Sequence, residues 1–272
     1  MFTMKRTGIL PGFGLTLGYT LTYLSLIVLL PLSALALKAS GTSAQKFLSI
    51  VTEPRVINAF QLSFEASLIA ASINAVMGTL VAWVLVRHPL PLRSLFDALV
   101  DLPFALPTAV AGIALTALTS QDGIVTRLVG VRLAFTQAGI VVALSFIGLP
   151  FVVRSVQPAV ESIPEHLEEA AAILGASRTQ TLYCVLLPRL WPAVLTGFAV
   201  AFARGLGEYG SVVFISGNMP NKTEIVPLLI VTRLEQYDYQ AAATVAALLL
   251  TLSFLSLFAI NLLQNRLSAR ST

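Results

Sequence analysis

Residues 139–160 read GIVVALSFIGLPFVVRSVQPAV, an apolar run with a single charge, Arg154. A stretch of about 20 apolar residues is what an α-helix needs to cross the hydrocarbon core of a bilayer. Within lipid every backbone N–H and C=O must be satisfied inside its own segment, and at this length only a helix manages that. The alternation of apolar and polar residues that a barrel strand requires is absent. Comparable stretches lie on either side, at 17–37, 62–86, 99–118, 192–216 and 241–263. The expected fold class is all-α: one transmembrane domain over 1–272, a polytopic membrane protein of about six transmembrane helices.

Composition agrees. The chain has 272 residues, 56% hydrophobic and 11% charged, with a mean hydropathy of +0.85. A soluble domain carries about 25% charged residues, so most of this surface meets lipid. The net charge is +4, but the basic residues are scattered between apolar runs rather than gathered in a stripe, which sets nucleic-acid binding aside. The single cysteine, Cys184, allows neither an internal disulfide nor a thiolate metal cluster. Lys5 and Arg6 precede the first apolar run, and Ala34-Leu35-Ala36 resembles a cleavage site. The run exceeds the 7–15 residues of a signal core, so a retained first span is expected, with cleavage the alternative.

Spans two and five are rich in small residues (Ala66, Ala70, Ala71, Ala75 and Gly78; Gly197, Ala199, Ala201, Ala203 and Gly205). Such residues let helix backbones approach where lipid removes the hydrophobic drive to associate. Span three contains Pro103 and Pro107. Each lacks an amide donor and obstructs the preceding turn, so a kinked or broken helix is expected there. Charge counting places the N-terminus inside by only nine basic residues against seven, a narrow margin for the positive-inside rule.

The polar stretch 161–190 between spans four and five is expected to form a helix–glycine–helix elbow along the membrane surface. Ser162 and Glu165 have capping-box spacing, and Pro164 suits a first turn. Glu165, Glu168 and Glu169 fall near the positive end of the helix. Leu167, Ala170, Ala171 and Leu174 recur at helical spacing, giving an apolar face opposite an acidic one. Gly175 suits a left-handed helix end, Ser177 and Gln180 open a second helix, and Pro188 is expected to end it. By itself such an elbow is more often a structural cap than a docking site.

Glu169-Ala170-Ala171, Gly175 and Val185-Leu186-Leu187-Pro188 resemble the EAA loop of bacterial ABC importer permeases. That pattern is Glu-Ala-Ala, three residues, Gly, nine residues, Ile, one residue, Leu-Pro; it is met everywhere except at Val185. Further stretches are similar to the CysT-type sulfate/thiosulfate permeases: residues 101–108 (DLPFALPT), 204–211 (RGLGEYGS), 216–220 (SGNMP) with 223–225 (TEI), and 234–239 (LEQYDY). The resemblance implies a type I ABC importer permease with a cytoplasmic coupling helix in the bacterial inner membrane, both termini cytoplasmic. It would carry sulfate or thiosulfate. Glu169, Ala170, Ala171, Gly175, Leu187 and Pro188 would meet one of two ATPase subunits. ATP would be bound and hydrolysed there, this chain being no enzyme and holding no cofactor. A CysW-like sister permease and an extracytoplasmic sulfate-binding protein would complete the assembly. CysW-like and molybdate permeases share the loop and are the alternatives within the family.

Arg204 and Glu208 lie four apart in span five, on one helical face. Charges at the bilayer centre cost about 2.5–3.5 kcal/mol each on insertion scales, so the two are expected either to neutralise one another or to line the translocation pathway, with Glu65 either a partner of Arg204 or merely interfacial. Gly205, Gly207 and Gly210 spell Gly-x-Gly-x-x-Gly. A dinucleotide site needs this within a βαβ unit, whereas here it lies in an apolar helical run and implies close packing or flexibility. His88 and His166 do not suggest a metal centre, and no Walker loop or activated nucleophile is present. An ion-coupled secondary transporter would often show inverted repeats, which are not evident, and a membrane scaffold would have no use for intramembrane charges.

Overall fold

The computed structural model describes residues 13–89, 91–164 and 166–268. Among these the regular elements are helical. α1 (Phe13–Ser40) contains a π-helical turn at Ser25–Leu29. It is followed by α2 (Ala44–Val51), α3 (Pro54–Arg87), α4 (Arg93–Ala105), α5 (Thr108–Thr119) and α6 (Ile124–Val129). Then come α7 (Gln137–Glu161), α8 (His166–Ile173) and α9 (Arg178–Leu206), the last with a π turn at Thr181–Leu186. α10 (Gly210–Ser216), α11 (Val226–Glu235) and α12 (Tyr239–Ser268) complete the chain. Among the described residues five helices are long and apolar enough to span a membrane, and a sixth if the bent pair α4 and α5–α6 is one span.

Helices outrun the apolar stretches. α3 begins at Pro54 rather than at residue 62, with its proline in the first turn where no hydrogen bond is forfeited. Span three is broken, by 108° between α4 and the Thr108–Val129 pair. The break belongs to Pro107, not Pro103. Leu106, the residue ahead of Pro107, is extended (φ −83°, ψ 134°), as steric conflict with the proline ring requires. Pro103 sits in the last turn of α4 and leaves it helical.

The second elbow helix does not stop at Pro188 but continues as α9 to Leu206. The π turn just ahead of the proline makes this feasible: the Leu187 amide reaches back five residues to the Leu182 carbonyl, widening the coil where the ring would otherwise press on the previous turn. Span five, conversely, is not one helix to 216. α9 ends at Leu206, and the chain restarts as α10 at Gly210. Glycines at 205, 207 and 210 weaken helix propagation, and the Glu208 side chain accepts the Ser211 amide at 2.9 Å, closing the new helix start. α11 lies where a loop was expected.

The core lies between α3, α7 and α9, where Ala71, Leu85, Val152, Val156, Leu190 and Phe202 pack. Gly78 and Gly197 bring the three helices together: a Cβ on Gly78 would lie 2.8 Å from Val152 Cγ1, and one on Gly197 2.8 Å from Val152 Cα. The close approach expected of small residues in spans two and five occurs here. A second cluster joins Leu62, Ala66, Ile140, Leu144, Val212 and Ile215, seating α10 against α3 and α7. α11 and α12 pack with Val56 and Ala59 at the end of α3 far from the elbow. α1 lies along α12, half-burying Leu35 and Ala39 and fully burying no residue.

Candidate functional site

The elbow keeps most of its expected local chemistry. Gly175 has φ +81°, and the Ala176 amide reaches the Ala171 carbonyl at 3.0 Å, the six-residue closure of a Schellman ending. Ser177 and Gln180 form a full capping box. The Ser162 half of the first box differs: its hydroxyl donates back to the Ala159 carbonyl at 2.7 Å, and Glu165 lies outside the described residues.

The faces of α8 also differ from expectation. Leu167 packs on the core and Ala171 is buried, but Ala170 and Glu169 are exposed. Ile173 and Leu174 are 85% and 87% exposed. A continuous apolar face of Leu167, Ala170, Ala171 and Leu174 was expected opposite the acidic one. α8 ends at Ile173, so Leu174 lies past the helix and only Leu167 and Ala171 turn to the core. The outcome is an exposed apolar knuckle with Glu169, Ala170 and Gly175 beside it. Leu187 is half-buried, while Pro188 lines a groove with Ala159, Ile163 and Arg189 between α7 and α9.

Arg87, at the end of α3, pins the elbow. It donates to the Ile163 carbonyl at 2.6 Å, lies 3.6 Å from Glu168, and rests over the Trp83 ring at 5.5 Å. Its cytoplasm-or-exterior position was all that sequence reading used. An arginine ending span two and acidic residues in the polar stretch after span four were the available signal.

Arg204 and Glu208 form the expected ion pair, at 2.7 Å. They do not share a helix, however, because Glu208 lies in the break after α9. Its carboxylate is 1% exposed and also accepts the Ser211 amide and hydroxyl (2.9 and 3.0 Å). Arg204 keeps 37% of its side chain open, so the pair both neutralises and leaves a cationic surface. Glu65 is elsewhere. It accepts from Gln61 at 2.8 Å and lines a cleft of about 170 Å³ with Asn58, Gln137, Asn221 and Lys222, at the end of the bundle remote from the elbow. The loop over that cleft is tied to α3 by a two-point Arg55–Glu224 pair, both contacts 2.7 Å, and by Asn58 to Asn221 at 3.1 Å.

The bundle is thus continuous, with spans three and five broken and an exposed elbow between spans four and five. Residues 74–270 match the model of binding-protein-dependent transport system inner membrane components. The chain belongs to that family. Among relatives of this inner membrane component, the sulfate transport system permease protein CysT of Salmonella typhimurium is 45% identical over 99% of both chains. That of Escherichia coli is 44% identical at the same coverage. The CysT of Synechocystis is 49% identical over 90% of this chain and 87% of its own. In fold, the permease is similar to a bacterial ABC transporter involved in alginate import (TM-score 0.73, 16% identity, 92% of this chain and 94% of that one). It is also similar to the MetNI methionine ABC transporter in an inward-facing conformation (TM-score 0.61, 19% identity, 78% and 96%). The resemblance drawn from the elbow and the flanking motifs thus extends over the full chain.

Proposed function

We propose that this chain is the permease subunit of an ATP-driven importer that carries sulfate, and thiosulfate with it, into the cytoplasm. The observation that carries the reading is near-half identity over 99% of both chains with CysT. The exposed Ile173–Leu174 knuckle supports it, because an apolar pair standing that far into water is suited to a partner's groove. ATP is bound and hydrolysed on two separate subunits, and this chain performs no catalysis and holds no cofactor. The elbow faces the cytoplasm, as do both termini. A CysW-like sister supplies the other half of the pathway, and an extracytoplasmic binding protein delivers the anion at the Glu65 end.

In this reading nucleotide-driven closure of the ATPases displaces α8. Because α8 is pinned to α3 by Arg87 and joined covalently to α7 and α9, the displacement enters the core helices directly. A partner shifts such an equilibrium only by binding its two states differently, so the knuckle contact must change with nucleotide. Arg204 presents a cation to the dianion in transit, and Glu208, already bonded to it, keeps that cation from holding the anion too tightly. The test is uptake of labelled sulfate by proteoliposomes containing the co-purified complex. ATP-dependent uptake, competed by thiosulfate more strongly than by molybdate, is expected. Uptake that persists without ATP, or molybdate as the stronger competitor, contradicts the reading.

A further inference from the structure

α4 is thinly packed. Of its residues only Val100 and Pro103 are buried, while Leu95, Phe96, Leu99, Leu102 and Phe104 stand at the surface. Beside an edge contact of Phe104 with Phe151 on α7, ring centroids 5.0 Å apart, a guanidinium makes most of α4's polar contacts. Arg154 on α7 donates to both carboxylate oxygens of Asp101, from Nε at 2.9 Å and from Nη2 at 2.6 Å. It also donates from Nη1 to Asp97 Oδ1 at 3.0 Å and Gln157 at 2.6 Å, and from Nη2 to the Asp97 carbonyl at 3.2 Å. Asp97 and Asp101 are one helical turn apart, and like charges at that spacing destabilise a helix. The planar fork of an arginine relieves both at once. Nearer the elbow, Arg93 lies 3.8 Å from Glu161, the last residue of α7. α4 is thus fastened to the helix end from which the elbow emerges.

α5 is fastened to α10, which sits against the other half of α7, at Ile140 and Leu144. A Cβ on Gly112 would overlap the Ser211 backbone, and one on Gly210 would overlap the Thr108 hydroxyl. α5 and α10 therefore lie backbone to backbone. Between the two halves of span three stand only Leu106 and Pro107, where the chain bends by 108°.

We infer that Arg154 is a positioning residue for coupling: its clamp makes α4 move with the α7–elbow end of the molecule, and leaves Leu106–Pro107 as the joint to the α5–α10 unit. The inference rests on the elbow being driven by an ATPase, so its test includes a measurement that does not.

That measurement is a pair of spin-label distances in the intact complex, on a Cys184→Ser background, between positions 95 and 162 (α4 to the end of α7) and between 95 and 118 (α4 to α5). Without nucleotide, Arg154→Ala is expected to broaden the 95–162 distribution, and the charge exchange Arg154→Asp with Asp101→Arg to narrow it again. An unchanged distribution in Arg154→Ala overturns the clamp whatever the complex transports. With nucleotide in the wild-type arginine background, the 95–118 distance is expected to change and 95–162 to hold. The reverse, or a fixed 95–118 distance, overturns the joint. In proteoliposomes, Arg154→Ala is expected to lower sulfate taken up per ATP hydrolysed by about tenfold, the scale of a lost charge-assisted contact in a partly solvated site. Arg154→Lys, which keeps the charge without the fork and guards against misfolding of the alanine variant, should fall between. A wild-type ratio in both variants overturns the coupling role, whereas absent uptake in the unsubstituted complex bears on the proposed function alone.

Discussion

Replacing Arg204 by alanine tests the ion pair of the broken fifth span. The structure sets the magnitude: Glu208 is 1% exposed, and Arg204 supplies the charge that balances it. The two Ser211 bonds remain, but they are dipoles, not a countercharge. Removing one partner of a buried pair costs about 3–5 kcal/mol. Because Arg204 is more than a third exposed, water recovers part of that, and about 2–3 kcal/mol is expected. That is on the order of a hundredfold in the folded-to-unfolded ratio, enough to reduce the yield of assembled complex. Arg204→Ala alone therefore confounds stability with transport. Arg204→Ala with Glu208→Gln separates them, since glutamine keeps the acceptor for Ser211 and removes the charge. The double variant is expected to regain near-normal thermal stability in detergent while sulfate uptake stays depressed at least severalfold, for want of a cation facing the anion. Full uptake in the double variant would refute the pathway role and leave Arg204 a mere neutraliser. If Arg204→Ala proves as stable as the unsubstituted chain, the countercharge argument itself fails.

Gly175→Val forces a β-branched side chain to φ +81°, a strain of about 1–2 kcal/mol or more. It should leave the bundle assembled while uptake per ATP falls, measured as the ratio of the two rates. Leu174→Asp, at an exposed site that buries nothing in this chain, should leave thermal stability within about 0.5 kcal/mol yet reduce the ATPase recovered in affinity purification. Gly197→Leu drives a side chain into Val152, against which even a Cβ would stand 2.8 Å away. Overpacking of about 1–3 kcal/mol should appear as a lowered melting midpoint.

What sequence reading recovered was governed by local rules. The apolar runs located the spans, because hydropathy depends on composition over about 20 residues. Gly175 and the Ser177–Gln180 box were legible because each depends on neighbours within one turn. The break in span three was legible as a region, yet two prolines competed for it, and the choice fell to Pro107 because Pro103 lies where α4 is already ending. The break in span five was half hidden: Gly205, Gly207 and Gly210 read as close packing or flexibility, and it is Glu208 turning to cap Ser211 that closes the start of the next helix. Pro188 misled in the opposite direction, since a π turn absorbs it. Least legible were the long-range partners. Arg154 meets Asp97 and Asp101, Arg55 meets Glu224, and Arg87 meets Ile163, each pair far apart in the chain and joined by packing that no spacing rule encodes. The rule that an intramembrane charge seeks a partner flags Arg154 and Asp101 as opposite signs in neighbouring spans, and could have paired them.

The account stands on the elbow being the contact through which a separate ATPase drives this bundle. A photo-crosslinker placed at Leu174 in the intact complex, with a second at Lys222 as the opposite-end control, tests it most directly. Crosslinks from position 174 to the ATPase that change in yield on adding ATP, with none from 222, are expected. ATPase crosslinks from 222, or from neither position in a complex that still imports sulfate, would contradict it.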